Sequence, residues 1–337
     1  MDYKPMNKEE LIKMFDKMNQ LHVVVVGDVM LDNYWVGDVD RISPEAPVPV
    51  IRLKTRESRL GGAANVAVNC KALGARVTLA SIVGNDHEGN QLKELAKEAG
   101  VGTELLVKSK DRITTSKTRI ISRSQQIVRL DDEQTNDIST EEEHPFLEKV
   151  LKFLQIEKPD VLIFEDYNKG ILKPNVIERI TSHCKEIGTI TSVDPKKNHF
   201  LDYKSVDIFK PNLKEVREGL NIRLDKVDVS GMDEVHQKLK GILGHQVTFV
   251  TLSELGVYYN NGNSAIIPSH YRRIADVSGA GDTVIATASM VYALTKDAAL
   301  MAAISNIAGG LVCESVGVVS IDKEQLEKEA VKVLNAQ

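Results

Sequence analysis

Short apolar runs that stop abruptly at polar clusters recur along this chain, with amphipathic stretches between them. Leu21-His-Val-Val-Val-Val-Gly27 is a continuous β-branched run ended by glycine, the pattern of a strand buried on both faces. Similar runs occupy residues 76–83, 160–165, 189–193, 206–209 and 247–251. Helical spacing marks residues 88–99, closed by Gly100, and residues 174–187. Ser139 opens a helix to about residue 157, and its acidic first turn (Glu141, Glu142, Glu143) complements the helix dipole. Residues 298–313 and 323–334 read as closing helices. Strands alternating with helices predict an α/β fold, three layers deep, with a mainly parallel central sheet.

Two stretches break that rhythm. Asp40-Arg-Ile-Ser-Pro-Glu-Ala-Pro-Val-Pro-Val-Ile-Arg52 sets three prolines in a β-rich context, which suits edge strands. Thr114-Thr-Ser-Lys-Thr-Arg-Ile-Ile-Ser122 and Gln126-Ile-Val-Arg-Leu130 flank the polar turn Arg123-Ser-Gln125. Together, over about residues 34–57 and 112–130, they predict a small β lid projecting from a single domain spanning 1–337; ordinary surface hairpins are the alternative. Between them, Gly61-Gly-Ala-Ala-Asn65 opens a helix of small residues that ends at Gly74, with Asn65 the polar exception able to reach a substrate hydroxyl.

Composition narrows the class. A hydrophobic content of 42% over 337 residues supports a large core, and the net charge of −5 without any basic run argues against a nucleic-acid partner. No apolar run approaches the ~20 residues of a membrane span, and residues 1–20 lack the apolar core of a signal peptide, so a cytoplasmic protein is expected. Cys70, Cys184 and Cys313 are far apart and expected to be reduced, and no histidines stand at zinc-ligand spacing.

The chemistry concentrates in Asp276-Val-Ser-Gly-Ala-Gly-Asp-Thr283, a glycine-rich turn opening a small-residue, buried helix. Gly279 and Gly281 permit unusual backbone angles and close ligand approach, and the helix N-terminus suits phosphate. Asp282 among those N–H groups is either a helix cap or a base that takes a proton from an attacking hydroxyl. Polar clusters also follow the strands: Asp28 and Asp32 after the first, then Asp166-Tyr-Asn-Lys-Gly170, Asp194-Pro-Lys-Lys197, Lys210-Pro-Asn-Leu-Lys-Glu215 and Thr251-Leu-Ser-Glu-Leu-Gly256. Of the first pair, Asp32 is the better ligand candidate. Several such clusters on one edge of a parallel sheet point to a phosphorylated ligand. The chain has no P-loop, no protein-kinase motif set and no Gly-x-Gly-x-x-Gly turn after Gly27, which removes those nucleotide-handling classes.

With these motifs in order, the sequence resembles the ribokinase-like (PfkB) sugar kinases over essentially its full length. Within them it is similar to the D-glycero-β-D-manno-heptose-7-phosphate kinases, through Gly27-Asp-Val-Met-Leu-Asp32, Arg41-Ile-Ser-Pro-Glu-Ala-Pro-Val-Pro-Val50, Asp166 to Gly170 and Lys210 to Glu215. The resemblance implies an ATP- and Mg²⁺-dependent transfer of the γ-phosphoryl group to the anomeric hydroxyl of the heptose 7-phosphate. Asp282 would be the catalytic base and the N–H groups of Gly279, Ala280 and Gly281 the anion hole. Asn212 and Glu215 match an Asn-x-x-Glu motif tied to magnesium, through water, and nucleotide phosphate; Thr251, Ser253, Gly256 and Asn306 match the nucleotide side. Asp32, Gly61, Gly62 and Asn65 match sugar-contacting positions, and Asp276 and Ser278 fall where some relatives bind a monovalent cation, K⁺. Lys117, Arg119, Arg123, Asp166, Lys169 and Lys196 are added as groups available to a substrate that already bears a phosphate. The resemblance, with the open edges of the lid, implies a homodimer formed through it. The kinase is often fused to a nucleotidyltransferase carrying His-x-Gly-His; this sequence has no such motif, so another protein is expected to perform the adenylyl transfer. Another sugar or nucleoside kinase of the same fold, and a non-catalytic sugar-phosphate sensor, are the alternatives.

Overall fold

The computed structural model describes residues 6–123, 125–224, 226–270 and 272–335. Ser124, in the turn between the two lid segments, lies outside them. Helix α1 (Lys8–Lys17) starts from an Asn7/Glu10 capping box and leads into strand β1 (His22–Gly27). The chain leaves the main body for the hairpin β2 (Val29–Ile42) and β3 (Pro49–Gly62), then returns through α2 (Ala63–Ala72), β4 (Arg76–Gly84), α3 (His87–Glu98) and β5 (Gly102–Ser109). It leaves again in β6 (Ser116–Ser122) and β7 (Gln125–Asp132). Helix α4 (Thr140–Glu157), β8 (Val161–Glu165), α5 (Pro174–Ile187), β9 (Ile190–Asp194), β10 (Ile208–Phe209), α6 (Leu213–Gly219), α7 (Val229–Leu243) and β11 (Val247–Thr251) form the other half. A hairpin of β12 (Val257–Asn260) and β13 (Ser264–Ile267) precedes α8 (Ala280–Thr295), α9 (Ala298–Val312) and α10 (Lys323–Asn335).

Among the described residues the main sheet has nine strands in the order β13-β12-β11-β10-β9-β8-β1-β4-β5, parallel from β11 to β5. Its two faces carry separate cores. Val23, Val25, Val161 and Ile163 pack with α2, α8 and α9, while Val24, Val26, Leu162 and Phe164 pack with α4, α5 and α7. Three layers therefore follow from strands that are apolar on both faces. The α/β expectation holds, and β5, β12 and β13 are additions to it.

The lid is a second sheet, β3-β2-β6-β7. It is longer than its sequence suggested, because β2 pairs with β3 from Val29↔Gly62 onward. Gly61 and Gly62 thus finish β3, and the helix starts only at Ala63. Gly62 sits at φ +58°, where a β-carbon would lie 2.4 Å from the Asp28 carbonyl oxygen, so only glycine makes this corner between lid and body. Pro49 opens β3, an edge strand, and β7, the other edge, is exposed along its whole length. Among the described residues no helix is long and apolar enough to cross a membrane. The three cysteines are free.

Candidate active site

Strand β1 lies between β4 and β8: the chain goes outward from β1 to β4 and β5, then restarts on the opposite side at β8. The crevice at the carboxyl ends of β1 and β8 is therefore the topological switch point, where open α/β sheets bind ligands. Gly27 and Glu165 stand side by side there. Just beyond, Asp28 is buried and shapes a loop. Its Oδ2 accepts from the N–H groups of Tyr167 at 2.8 Å and Lys169 at 3.0 Å. Burial, then the charge of Asp166, pushes its pKa up to about 6. Asp166, offered as a substrate ligand, is itself buried: it accepts from the Asn168 N–H at 2.7 Å and the Tyr203 hydroxyl at 2.8 Å. Both carboxylates serve the loop, which presents Tyr167 and Lys169.

Asp282 lies opposite. Gly279, at φ +79°, is the cap of α8, with no side-chain cap bond, and Asp282 falls in the first turn. The capping reading of Asp282 is thereby excluded. Gly281 is ordinary helix rather than a left-handed residue, and the Ala280 N–H already donates to the Val277 carbonyl at 3.2 Å. Asp282 is 5% exposed and takes two donors: Asn65 Nδ2 to Oδ2 at 2.7 Å and the Tyr167 hydroxyl to Oδ1 at 2.9 Å. Burial raises its pKa to about 6 against those two bonds, a value suited to a general base near neutral pH. Asn65, expected at the sugar, donates to the Asp282 carboxylate.

Below this turn sits a buried charge layer. Register places Glu165 beside Asp194. The Asp194 carboxylate receives Lys210 at 2.7 Å and Lys196 at 3.1 Å, and Lys196 also reaches Glu215 at 2.6 Å. Burial would raise the pKa of Asp194, but the two lysines hold it below the usual range. Glu165 is touched by neither lysine: among the described residues neither of its oxygens has a hydrogen-bond partner, and the Lys196 and Lys210 charges offset its burial only in part. Burial first, then repulsion from Asp194 and Asp282, drives its pKa well above the usual carboxylate range. Tyr167 and Lys210 stand in the polar clusters that follow their strands, with no individual role read from sequence, and Glu165 only closes the 160–165 run. Glu165 had a signal, a carboxylate on the same strand face as Val161 and Ile163, two positions apart each time.

On the lid side, Asp32 lies within β2 and pairs with Arg119 of β6. Gly61 faces it across the hairpin, where a β-carbon would stand 2.3 Å from Asp32 Oδ2, so the glycine leaves room for the carboxylate. Arg119 and Arg59 stack over the Tyr34 ring, and Arg59 Nη1 donates to the Val318 carbonyl at 2.9 Å. Lys117 and Lys169 converge on Glu133. Arg123 is exposed at the lid's tip.

On the remaining side, Asn212 and Glu215 form a reciprocal capping box on α6, with bonds of 2.9 and 2.7 Å. Thr251 bridges to Asn212. Ser253 begins a short 3₁₀ turn at φ +56°. Gly256 is required by the backbone, since a β-carbon there would lie 2.0 Å from the Ile267 carbonyl oxygen. Asn306 Nδ2 donates to the Pro268 carbonyl at 2.8 Å. The carboxylate of Asp276 accepts from Ser278 N–H and Gly317 N–H, each at 2.9 Å, and these bonds outweigh burial to keep its pKa low. Among the described residues no three His, Cys, Asp or Glu side chains converge to hold a metal ion.

A buried carboxylate in the first turn of a helix, near two lysines and beside a β lid at a switch point, is an arrangement that suits phosphoryl transfer to a small hydroxylated substrate. Residues 20–325 match the model of the pfkB family of carbohydrate kinases, and the chain belongs to that family. It is 37% identical to the D-beta-D-heptose 7-phosphate kinase of Bordetella bronchiseptica, over 94% of this chain and 98% of the relative. It is 36% identical to the bifunctional protein HldE of Campylobacter curvus, over 92% of this chain but 65% of that protein, so it spans about two thirds of such relatives. The fold matches Escherichia coli phosphofructokinase-2 solved with potassium (TM-score 0.77, 16% identity, 94% of this chain and 99% of that one). It also matches Arabidopsis thaliana ribokinase with ribose and ATP (TM-score 0.70, 17% identity, 93% and 99%).

Proposed function

We propose that this protein transfers the γ-phosphoryl group of ATP to the anomeric C1 hydroxyl of D-glycero-D-manno-heptose 7-phosphate, giving the 1,7-bisphosphate for ADP-heptose synthesis. The chemistry rests on Asp282, a buried base whose two oxygens are fixed by Asn65 and Tyr167. The substrate is supported by the names of relatives that match along more than nine-tenths of the chain. Asp282 orients the hydroxyl and takes its proton as the oxygen attacks the γ-phosphorus, while the bond from that phosphorus to the bridging oxygen breaks and ADP leaves. The N-terminus of α8, with Lys196 and Lys210 behind it, offsets the charge on the moving group. Glu215, with Oε1 on Lys196 and Oε2 on the Asn212 N–H, would meet Mg²⁺ through water, the ion's remaining ligands coming from substrate phosphates. Mg²⁺ would neutralise the nucleotide phosphates. Thr251, Ser253, Gly256 and Asn306 are the proposed nucleotide side, and Asp276 with Ser278 the proposed K⁺ position. The lid, folding with the rest of 1–337 as one kinase domain, shields ATP from water and pairs two cytoplasmic copies through its exposed edge.

A coupled ADP-release assay with Mg-ATP and a panel of D-glycero-D-manno-heptose 7-phosphate, fructose 6-phosphate, ribose and fructose tests the assignment. Dominant turnover of the heptose phosphate is expected. Preference for another sugar removes the heptose assignment while keeping Asp282. A single-copy mass by sedimentation at assay concentration removes the dimer.

A further inference from the structure

Lys117 belongs to the lid strand β6, whereas Lys169 belongs to the loop that Asp28 fastens to the body. Both ammonium groups nevertheless close on a single atom, Glu133 Oε2, at 2.7 and 2.8 Å. Glu133 follows β7, so one carboxylate oxygen held between two cations is among the contacts that join lid and body. The Lys169 backbone is tied to the body: its carbonyl accepts from Arg112, which also donates to the Asn136 carbonyl at 2.8 Å. Lys117 has a second, longer contact to Asp131 at 3.1 Å, but Asp131 is also engaged by Arg129 at 2.8 Å. The trio is partly open to solvent, with side-chain exposures of 16%, 13% and 24% for Lys117, Lys169 and Glu133.

Two ammoniums that meet on one oxygen are spaced for an anion with several oxygens, and a phosphate monoester carries more charge than a carboxylate. We propose that Lys117 and Lys169 are the clamp for the phosphate end of the sugar substrate, and that Glu133 is a built-in competitor which that phosphate must displace. The exchange moves a lid cation from a lid carboxylate to a substrate group, which ties lid position to phosphorylated sugars and disfavours free ones. The inference rests on the sugar-phosphate reading above, but not on which sugar carries the phosphate.

The test is the affinity for inorganic phosphate, by calorimetry on the full chain, in wild type, E133Q, K117Q and K169Q. An exposed competitor of this kind is expected to cost about fivefold in apparent affinity, so E133Q binds phosphate about fivefold tighter. K117Q and K169Q each bind more weakly, by on the order of tenfold, and E133Q gives no gain once either lysine is removed. E133Q also lowers the KM for sugar phosphate while the KM for ATP stays put. Equal phosphate affinity in wild type and E133Q overturns the proposal. So does an E133Q gain that survives loss of both lysines, which would place the phosphate elsewhere, or no measurable phosphate binding by either protein. No turnover of the heptose phosphate together with the expected phosphate pattern would reject the heptose and keep the clamp; turnover with phosphate binding blind to Glu133 would do the reverse.

Discussion

Replacing Tyr167 by phenylalanine removes one hydroxyl and leaves the ring over which Lys196 rests, 5.3 Å from its centroid. That hydroxyl donates to Asp282 Oδ1 at 2.9 Å in a buried setting and so favours the ionised carboxylate. With a pKa of about 6, Asp282 is about nine-tenths ionised at pH 7. A hydrogen bond to a charged group contributes about 1.5–3 kcal/mol, which at 1.36 kcal/mol per unit is about one to two pKa units. Tyr167→Phe should therefore move Asp282 to about 7–8 and leave between about half and a tenth of it ionised at pH 7. The expected result is a roughly 2- to 10-fold loss of kcat/KM at pH 7 that is recovered near pH 9, because the acid limb has shifted upward. The pH profile of kcat/KM, which reports the free enzyme, is the assay. A loss of the same size at every pH would show that Tyr167 acts on geometry alone and would refute this electrostatic reasoning.

Asp282→Asn should lower turnover by on the order of 10²–10⁴ in the ADP-release assay while thermal unfolding stays at or above wild type, since a buried charge is removed. Glu165→Gln tests the raised Glu165 pKa by urea melts between pH 5 and 7. A raised folded pKa means that the folded protein keeps a proton that the unfolded chain releases above about 4.5, so that contribution is full below the unfolded value and fades as pH rises. Because glutamine loses no proton, the variant should gain on wild type by up to ~1.36 kcal/mol per pH unit in this window, and a pH-independent difference would contradict it. Gly62→Ala forces a β-carbon against the Asp28 carbonyl at φ +58° and should destabilise by about 1–3 kcal/mol in the same melts, whereas Gly241→Ala, with nothing within 4 Å of the added carbon, should not.

What could be read directly from the chain is what closes within a turn or repeats along an element. The β-branched run before Gly27 forms the strand it reads as, and the glycine turn before Asp282 opens a helix as read, though only Gly279 needs a left-handed angle; the Asn212–Glu215 spacing closes a capping box that its reading as a ligand motif did not include. The lid strands were legible as β but not in length, because where β2 and β3 stop is decided by their pairing with each other. The site itself was only half legible. Asn65 and Tyr167 are 217 and 115 residues from Asp282, and nothing in their neighbourhoods says that they meet on its two oxygens. Asp28 read as the weaker of two candidate ligands until the loop it holds was visible, and Glu165 read as the polar end of a strand. Sheet order brought these groups together. Putting β8 beside β1 sets Glu165, Asp194 and Asp282 under one helix turn, and the low-dielectric setting created by that packing, rather than any property of the isolated residues, fixes which of them carries a charge.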